Sequence, residues 1–407
     1  MALYRDLNID LTAEQIAIKE ETHKFAKEVL RPASLELDKI DDPTEMINST
    51  LYKNTLKKGY ELGYHTVYIT DAYGGLGTDP LETNIVLEEL GWGSVDFAVS
   101  FGCSCFPAFM ATMVPDEELI DNIIEPFCEC TDASIIGCWG MTEPEHGSDV
   151  VCPFTEQFKD PAITGQCTAT LDGDEWVLSG QKAAWVSNGT VSTHCLVYPT
   201  IDPSMGMAGG GICIVPMDLP GVRKGRPLDK IGQRALNQGE IYFDNVRIPK
   251  GYMLVDPDSY EAMLDITLST ANAFMGAVFV GLARAAYEEA LAYAKQRIQG
   301  GKPLFRHQLI KHKLFRMFTK IEAARQLSRA AMIYNYNNTP PRIEYSIASK
   351  TLSTQTAFEV TSEAIQIFGG NGLSREYPIE KFFRDARASM IEDGANDTLM
   401  ITGAHHL

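Results

Sequence analysis

Residues 175–189, EWVLSGQKAAWVSNG, set β-branched and aromatic residues in short runs closed by glycine, in the middle of a chain otherwise patterned for helices. Similar runs follow in THCLVYPTI (193–201), GICIVPM (211–217) and GEIYFDNVRIP (239–249). Their composition and punctuation predict strands joined by turns. Upstream, LTAEQIAIKEETHKFAKEVLR (11–31) opens on Thr12 with Glu14 close by and places apolar residues on one helical face, and LETNIVLEELG and DNIIEPFCECTD continue the pattern. Downstream, VFVGLARAAYEEALAYAKQRI (278–298) repeats apolar positions Val280, Ala283, Tyr287, Ala290, Ala294 and Ile298 at threes and fours, with Glu288 and Glu289 on the other side. The expected order is a helical part over 1–132, a β module over 133–250 and a second helical part over 251–407, an α+β chain without internal repeats.

Length and composition agree with that division. A chain of 407 residues is long for one core, and 45% hydrophobic with 22% charged residues is ordinary for a soluble globular protein. A net charge of −19 argues against nucleic acid or an anionic membrane as partner, because phosphate surfaces select basic patches. MALYRDLNIDLTAEQ has no basic start followed by an apolar run, so no secretory signal is expected, and no run approaches a membrane span. The nine cysteines lie between Cys103 and Cys213 and are an odd number, which points to reduced thiols and a cytoplasmic protein. Cys103/Cys105 and Cys128/Cys130 have Cys-x-Cys spacing rather than the Cys-x2-Cys pairs of a zinc site, so no metal is expected.

Three segments carry chemistry. CWGMTEPEHGSDV (138–150) puts small and hydroxyl residues with two glycines where helix gives way to strand, a loop whose N–H groups suit an anion or a polar ring edge, although turns use the same residues. In QKAAWVSNG, Trp185 beside Ser187 reads as an aromatic wall with a hydroxyl or as a half-buried strand. QIFGGNGLSREYPIEKFFRDAR (366–387) interrupts a helical region with three glycines in four positions, either for close approach to a ligand or as a hinge between helices.

Taken together, TEPEHGSD, GQKAAWVSNG, FDNVRIP and QIFGGNG followed by EYPIEK and RDA resemble the acyl-CoA dehydrogenases, in the same order across nearly the whole chain. The resemblance implies a helical N-terminal domain, a β-barrel-like middle domain and a C-terminal four-helix bundle. It also implies FAD, an acyl-CoA substrate, electron-transferring flavoprotein as acceptor and a homotetramer. Carried over by position, Trp139, Met141, Thr142, Trp185 and Ser187 match flavin-ring contacts, and Ser148 matches the serine beside the CoA arm. Arg297 matches an arginine that reaches the FAD pyrophosphate of a neighbouring subunit, a task suited to a fixed guanidinium, while Gln366, Gly369 and Gly370 match the loop receiving the adenine half.

The resemblance breaks at the base. The family's usual glutamate stands seven positions beyond the RDA alanine and before a glycine; counting from Ala386 reaches Asp393, followed by Gly394. Glu392 falls where an aromatic commonly stands, and as half of an acidic pair is expected to orient the loop or meet solvent. The family's relocated glutamate and its arginine are replaced by Ala271 and Asn272. A third carboxylate, Asp96, lies in GWGSVDFAVSFGCSCF (91–106), the segment resembling the acyl-pocket helix, with Val99, Gly102 and Cys103 expected along the substrate and Gly102 expected to open the pocket. Asp96 is equally a helix-start residue.

An aspartate in a glutamate's place withdraws the carboxylate by about 1 Å, a misplacement that can cost a hundredfold in rate. The expected function is therefore dehydrogenation of a cyclic, branched or unsaturated thioester, such as cyclohex-1-ene-1-carboxyl-CoA, with Asp393 or Asp96 as base. Two other activities stay open, a nitroalkane-type flavin oxidase and a desulfinase-like lyase. So does a non-catalytic flavin or acyl-CoA binding protein.

Overall fold

The computed structural model describes Leu7 and residues 10–407. Thr12 caps the first helix, α1 (Ala13–Phe25), through a capping box whose reciprocal partner is Gln15 rather than Glu14. Helix α2 (Pro80–Gly93) starts on a second capping box, Asp79 with Glu82, and α3 (Val95–Met113) starts on Ser94. Both are buried almost all round, so they form the inside of the N-terminal part rather than its surface.

The middle module contains two four-stranded sheets. One has the order β1 (Gly137–Gly140), β4 (His194–Val197), β5 (Ile212–Pro216), β8 (Met253–Val255); the other has β2 (Thr168–Asp172), β3 (Glu175–Ser187), β7 (Gln238–Pro249), β6 (Val222–Lys224). The β1–β4 pair is parallel and the other ladders are antiparallel. The sheets do not close into the expected barrel. An isolated bridge, Thr168 to Thr200, links them, and the register of β3 on β7 slips between Lys182 and Val186. Such an irregularity bends a strand and re-aims its end, here the end carrying Trp185 and Ser187.

The C-terminal part packs α4 (Pro257–Gln296), α5 (Gln308–Tyr336) and α6 (Ile343–Phe368), followed by α7 (Ile379–Ser389) and α8 (Asn396–His405). The glycine-rich stretch after Phe368 is a single 3-10 turn, Gly369–Leu373, between α6 and α7. Helices α3 and α4 are long and apolar enough to pass for membrane spans, yet 89% of each apolar window is buried within the protein.

One apolar core runs from the N-terminal helices into the C-terminal bundle, and a second fills the β module. The first is pinned by charge. Glu88 of α2, 1% exposed, accepts from Arg284 Nη1 of α4 at 2.6 Å and from Arg325 Nη2 of α5 at 3.0 Å. Burial alone would push the Glu88 carboxyl up, but the surrounding guanidiniums hold it well below the usual carboxylate range. A buried carboxylate so paired is costly to break, because removing either partner strands the other charge.

Candidate active site

A cavity of about 560 Å³ lies where the β module meets the segment after α7. That is within the roughly 300–1,000 Å³ of small-molecule sites. One wall comes from the end of β1 and the following loop, with Trp139, Met141, Thr142 and Ser148, and from β3, with Trp185 and Ser187. The wall is firmly built. Trp139 stacks on Phe106 at 4.8 Å between centroids. Lys182, buried under the loop, donates to Met141 O at 3.1 Å, to Tyr198 O at 2.7 Å and to Glu143 at 2.6 Å.

Chemically this wall fits a flavin ring. Trp139 Nε1 is buried and has no partner among the described residues, while Trp185, 61% exposed, turns its indole to the cavity. Gln238 donates to Ser187 Oγ at 3.1 Å and accepts from Lys230 Nζ at 2.8 Å, which fixes the hydroxyl and sets a cation behind it. Burial lowers the Lys230 ammonium to about 8, opposed by nearby carboxylates.

The facing wall is the turn after α7. Asp393 has φ +54° and Gly394 φ +94°, two successive left-handed residues. Aspartate is among the few non-glycine residues that enter this region readily. The turn is tied down from both sides: Ala395 N–H donates to Ser148 Oγ at 3.0 Å, and the buried Lys350 of α6 donates to Gly394 O at 2.7 Å and Asn396 Oδ1 at 2.8 Å. Asp393 lines the cavity. Its carboxyl, pushed up to about 6 by burial against the opposing pull of Lys350, is ionised over most of the neutral range yet remains a usable base.

Glu392 also faces the cavity, half-buried, instead of meeting solvent. Gln233 Nε2 donates to its Oε1. Burial and the neighbouring Asp393 push its carboxyl up to about 7, with Gln233, Lys230 and Lys350 opposing. Gln233 is itself fixed, since its backbone N–H donates to Asp385 Oδ1 at 2.6 Å. Gln233, Lys230 and Lys350 carried no sequence signal of a site beyond a lysine amid the buried face of α6.

Other expected positions lie elsewhere. Asp96 is fully buried and does not reach the cavity: its Oδ2 accepts from Ser34 Oγ at 2.7 Å, Ser94 Oγ at 3.1 Å and Lys381 Nζ at 2.8 Å. Burial would raise it, but Lys381 and Ser34 hold it below its ordinary value as the counter-ion of Lys381. Val99 is packed in the core, and of the acyl-pocket positions only Cys103 lines the cavity. Gly102 does not open the pocket, because a Cβ there would sit 2.6 Å from the Phe274 ring, which already fills the space. Arg297, Gln366, Gly369 and Gly370 are exposed and away from the cavity. Arg297 follows Tyr293, whose ring stacks at 4.1 Å on Phe368, the residue before Gly369. That places the four at one end of the bundle.

Three family models match the chain in succession: acyl-CoA dehydrogenase N-terminal domain over 12–127, middle domain over 138–246 and C-terminal domain over 266–407. The mitochondrial short-chain specific acyl-CoA dehydrogenase of Bos taurus is 30% identical over 403 residues, covering 98% of this chain and 91% of that protein. The structure of butyryl-CoA dehydrogenase from Megasphaera elsdenii superposes with a TM-score of 0.85 at 28% identity, covering 98% of this chain and 99% of that one. A nitroalkane oxidase structure superposes with a TM-score of 0.87 over 98% of this chain and 96% of that one, but at 19% identity the likeness is one of fold.

Proposed function

The chain belongs to the acyl-CoA dehydrogenase family, flavoproteins that oxidise acyl-CoA thioesters with FAD, and from that membership we propose that Asp393 is the base of its reaction. The observation that carries the proposal is the cavity itself, with the flavin-contact positions on one wall and the Asp393 carboxylate on the other. FAD, when bound, supplies the acceptor for the hydride lost from the substrate's β-carbon. Asp393 takes the α-proton, acidified by the thioester carbonyl. Ser148 and Lys350, gripping the turn from opposite sides, keep that carboxylate from swinging away.

We further propose that the acyl group is not a plain saturated chain but ring-containing, branched or already unsaturated, for example cyclohex-1-ene-1-carboxyl-CoA. The support is the aspartate alone: a carboxylate withdrawn by about one methylene asks for an acyl group whose proton is more acidic or carried closer. Electron-transferring flavoprotein is the proposed acceptor, and a homotetramer the proposed assembly. The exposure of Arg297, Gln366, Gly369 and Gly370, away from their own cavity, supports a role at a neighbouring subunit's cofactor. Nine free cysteines support a reducing, cytoplasmic setting.

Anaerobic titration of the flavin absorbance with straight-chain, branched and cyclic-unsaturated CoA thioesters tests both claims. Bleaching by the cyclic or branched class, lost in Asp393→Asn, is expected. If no thioester bleaches a fully FAD-loaded protein, the dehydrogenase reading fails; oxygen uptake with a nitroalkane would then point to an oxidase.

A further inference from the structure

The wall beside Asp393 carries a carboxyl that the reaction does not use. Glu392 lines the same cavity from the adjacent residue, so an acyl group that reaches Asp393 also comes near Glu392. Its placement is enforced from below. Gln233, 1% exposed, holds Glu392 Oε1, and Gln233 is held by Asp385, which shares Lys381 with Asp96. A side chain merely parked at a cavity edge would not need a buried amide and a buried ion network behind it. The second oxygen, Oε2, has no partner among the described residues.

The shape of the cavity adds a constraint. With the Phe274 ring filling the space at Gly102, neither Val99 nor Gly102 lines the cavity, and on this side it ends at Cys103. An acyl group entering this cavity, bounded at Gly102 and lined by both Glu392 and Asp393, therefore meets Glu392 as well as the base. An apolar tail there would strip water from a carboxyl and return nothing. A second carboxylate on the acyl group would be a third acidic group beside Glu392 and Asp393.

On the reading that Asp393 is the base for a CoA thioester, we propose that Glu392 is a specificity-determining residue that accepts a hydrogen bond from a donor on the acyl group, a hydroxyl or an amine at or beyond the γ-carbon. A site built around such a bond discriminates strongly against analogues that lack the donor, because the site's own polar group is then left unpaired.

The test compares 4-hydroxybutyryl-CoA, butyryl-CoA and glutaryl-CoA as flavin reductants of the FAD-loaded enzyme. In parallel, calorimetry measures the Kd of the matching non-oxidisable CoA thioethers, with wild type, Glu392→Gln and Glu392→Leu. The wild type is expected to favour the hydroxyl compound over butyryl by about tenfold or more in kcat/KM and in Kd, and glutaryl least. Glu392→Leu is expected to reverse the first preference, and Glu392→Gln, whose amide oxygen still accepts, to keep part of it. Should Glu392→Leu not fold, the Gln variant and the thioether affinities carry the comparison. Equal use of butyryl and 4-hydroxybutyryl thioesters by the wild type would overturn the role of Glu392 while leaving Asp393 as base. Loss of flavin reduction by every thioester in Glu392→Gln, as complete as in Asp393→Asn, would also overturn it, by making Glu392 the base. Failure of all three thioesters to reduce the wild type, with none of the thioethers bound, would overturn the role of Glu392, and the dehydrogenase reading would fall with it only if branched and cyclic thioesters failed too.

Discussion

Replacing Asp393, the proposed base, should stabilise the fold it sits in, and only at neutral to alkaline pH. Asp393 has an ordinary carboxyl value of 3.8 when exposed and is pushed up to about 6 in the folded protein. A group whose folded value is raised favours the fold fully below its unfolded value and loses that contribution as pH climbs through the folded one. Ionising Asp393 above pH 6 thus costs stability, by about 3 kcal/mol at 1.36 kcal/mol per pH unit of difference if the site were dry. Water in the cavity screens the half-buried carboxylate, and its charge also steadies Lys350, so about 1–2 kcal/mol is the expected net cost. Asp393→Asn removes it without disturbing the backbone, since asparagine takes the left-handed conformation at φ +54° as well as aspartate does. The FAD-loaded variant should melt about 1–2 °C above the wild type at pH 8 and within about 0.5 °C of it at pH 4. Its flavin reduction by thioester should fall by a factor of about 10² to 10⁴, the usual loss on deleting a positioned base. A melting point unchanged or lower at pH 8, or a gain equally large at pH 4, would refute the electrostatic argument.

The pH profile of kcat/KM should rise to a plateau with a midpoint near 6, because Asp393 as base must be ionised to accept the proton; disappearance of that limb in Glu392→Gln would assign it to Glu392 instead. Asp96→Asn should destabilise the protein by about 3 kcal/mol in denaturant titration, because Lys381 loses one of its two carboxylates, while flavin reduction per folded molecule stays within about twofold. A hundredfold loss of reduction in that variant would return Asp96 to the chemistry. Phe274→Ala should cost about 3–5 kcal/mol and shift the preferred acyl chain toward greater length, by vacating the space beside Gly102; an unchanged chain-length preference would show that Phe274 does not bound the acyl end.

Much of this was legible in the sequence, and the parts that were not share a cause. The change of period near residue 133 and again after 250 marks the β module, because strand and helix patterns differ locally. A count along one helix and turn places Asp393 three residues past the C-cap of α7, since nothing between Ala386 and Gly394 alters the register. The direction in which a side chain faces is another matter. Asp96 and Asp393 are both acidic residues near helix ends, and only the packing of α7 against the N-terminal helices, which brings Lys381 within 2.8 Å, makes the first a buried counter-ion. Gly102 suggested an opening because glycine removes a side chain; Phe274, 172 positions away, supplies one. Glu392 looked like solvated surface until Gln233, from a loop with no periodicity, closed over it. The closure of the middle module failed for a similar reason, as strand identity is local and sheet closure depends on which edges meet.

The left-handed pair at Asp393 and Gly394 also bears on how such an enzyme is inherited. Asparagine and glycine are at home in that conformation, and each is a single nucleotide change from an aspartate codon. With Asp393 as the proposed base, the path from working dehydrogenase to silent flavin carrier is one mutation long, and it runs toward a more stable protein. Nothing in the architecture guards the base; only continued use of the reaction does. In a duplicated gene copy relieved of turnover, position 393 is where decay should begin, long before the cavity walls or the buried Glu88 cluster show any change.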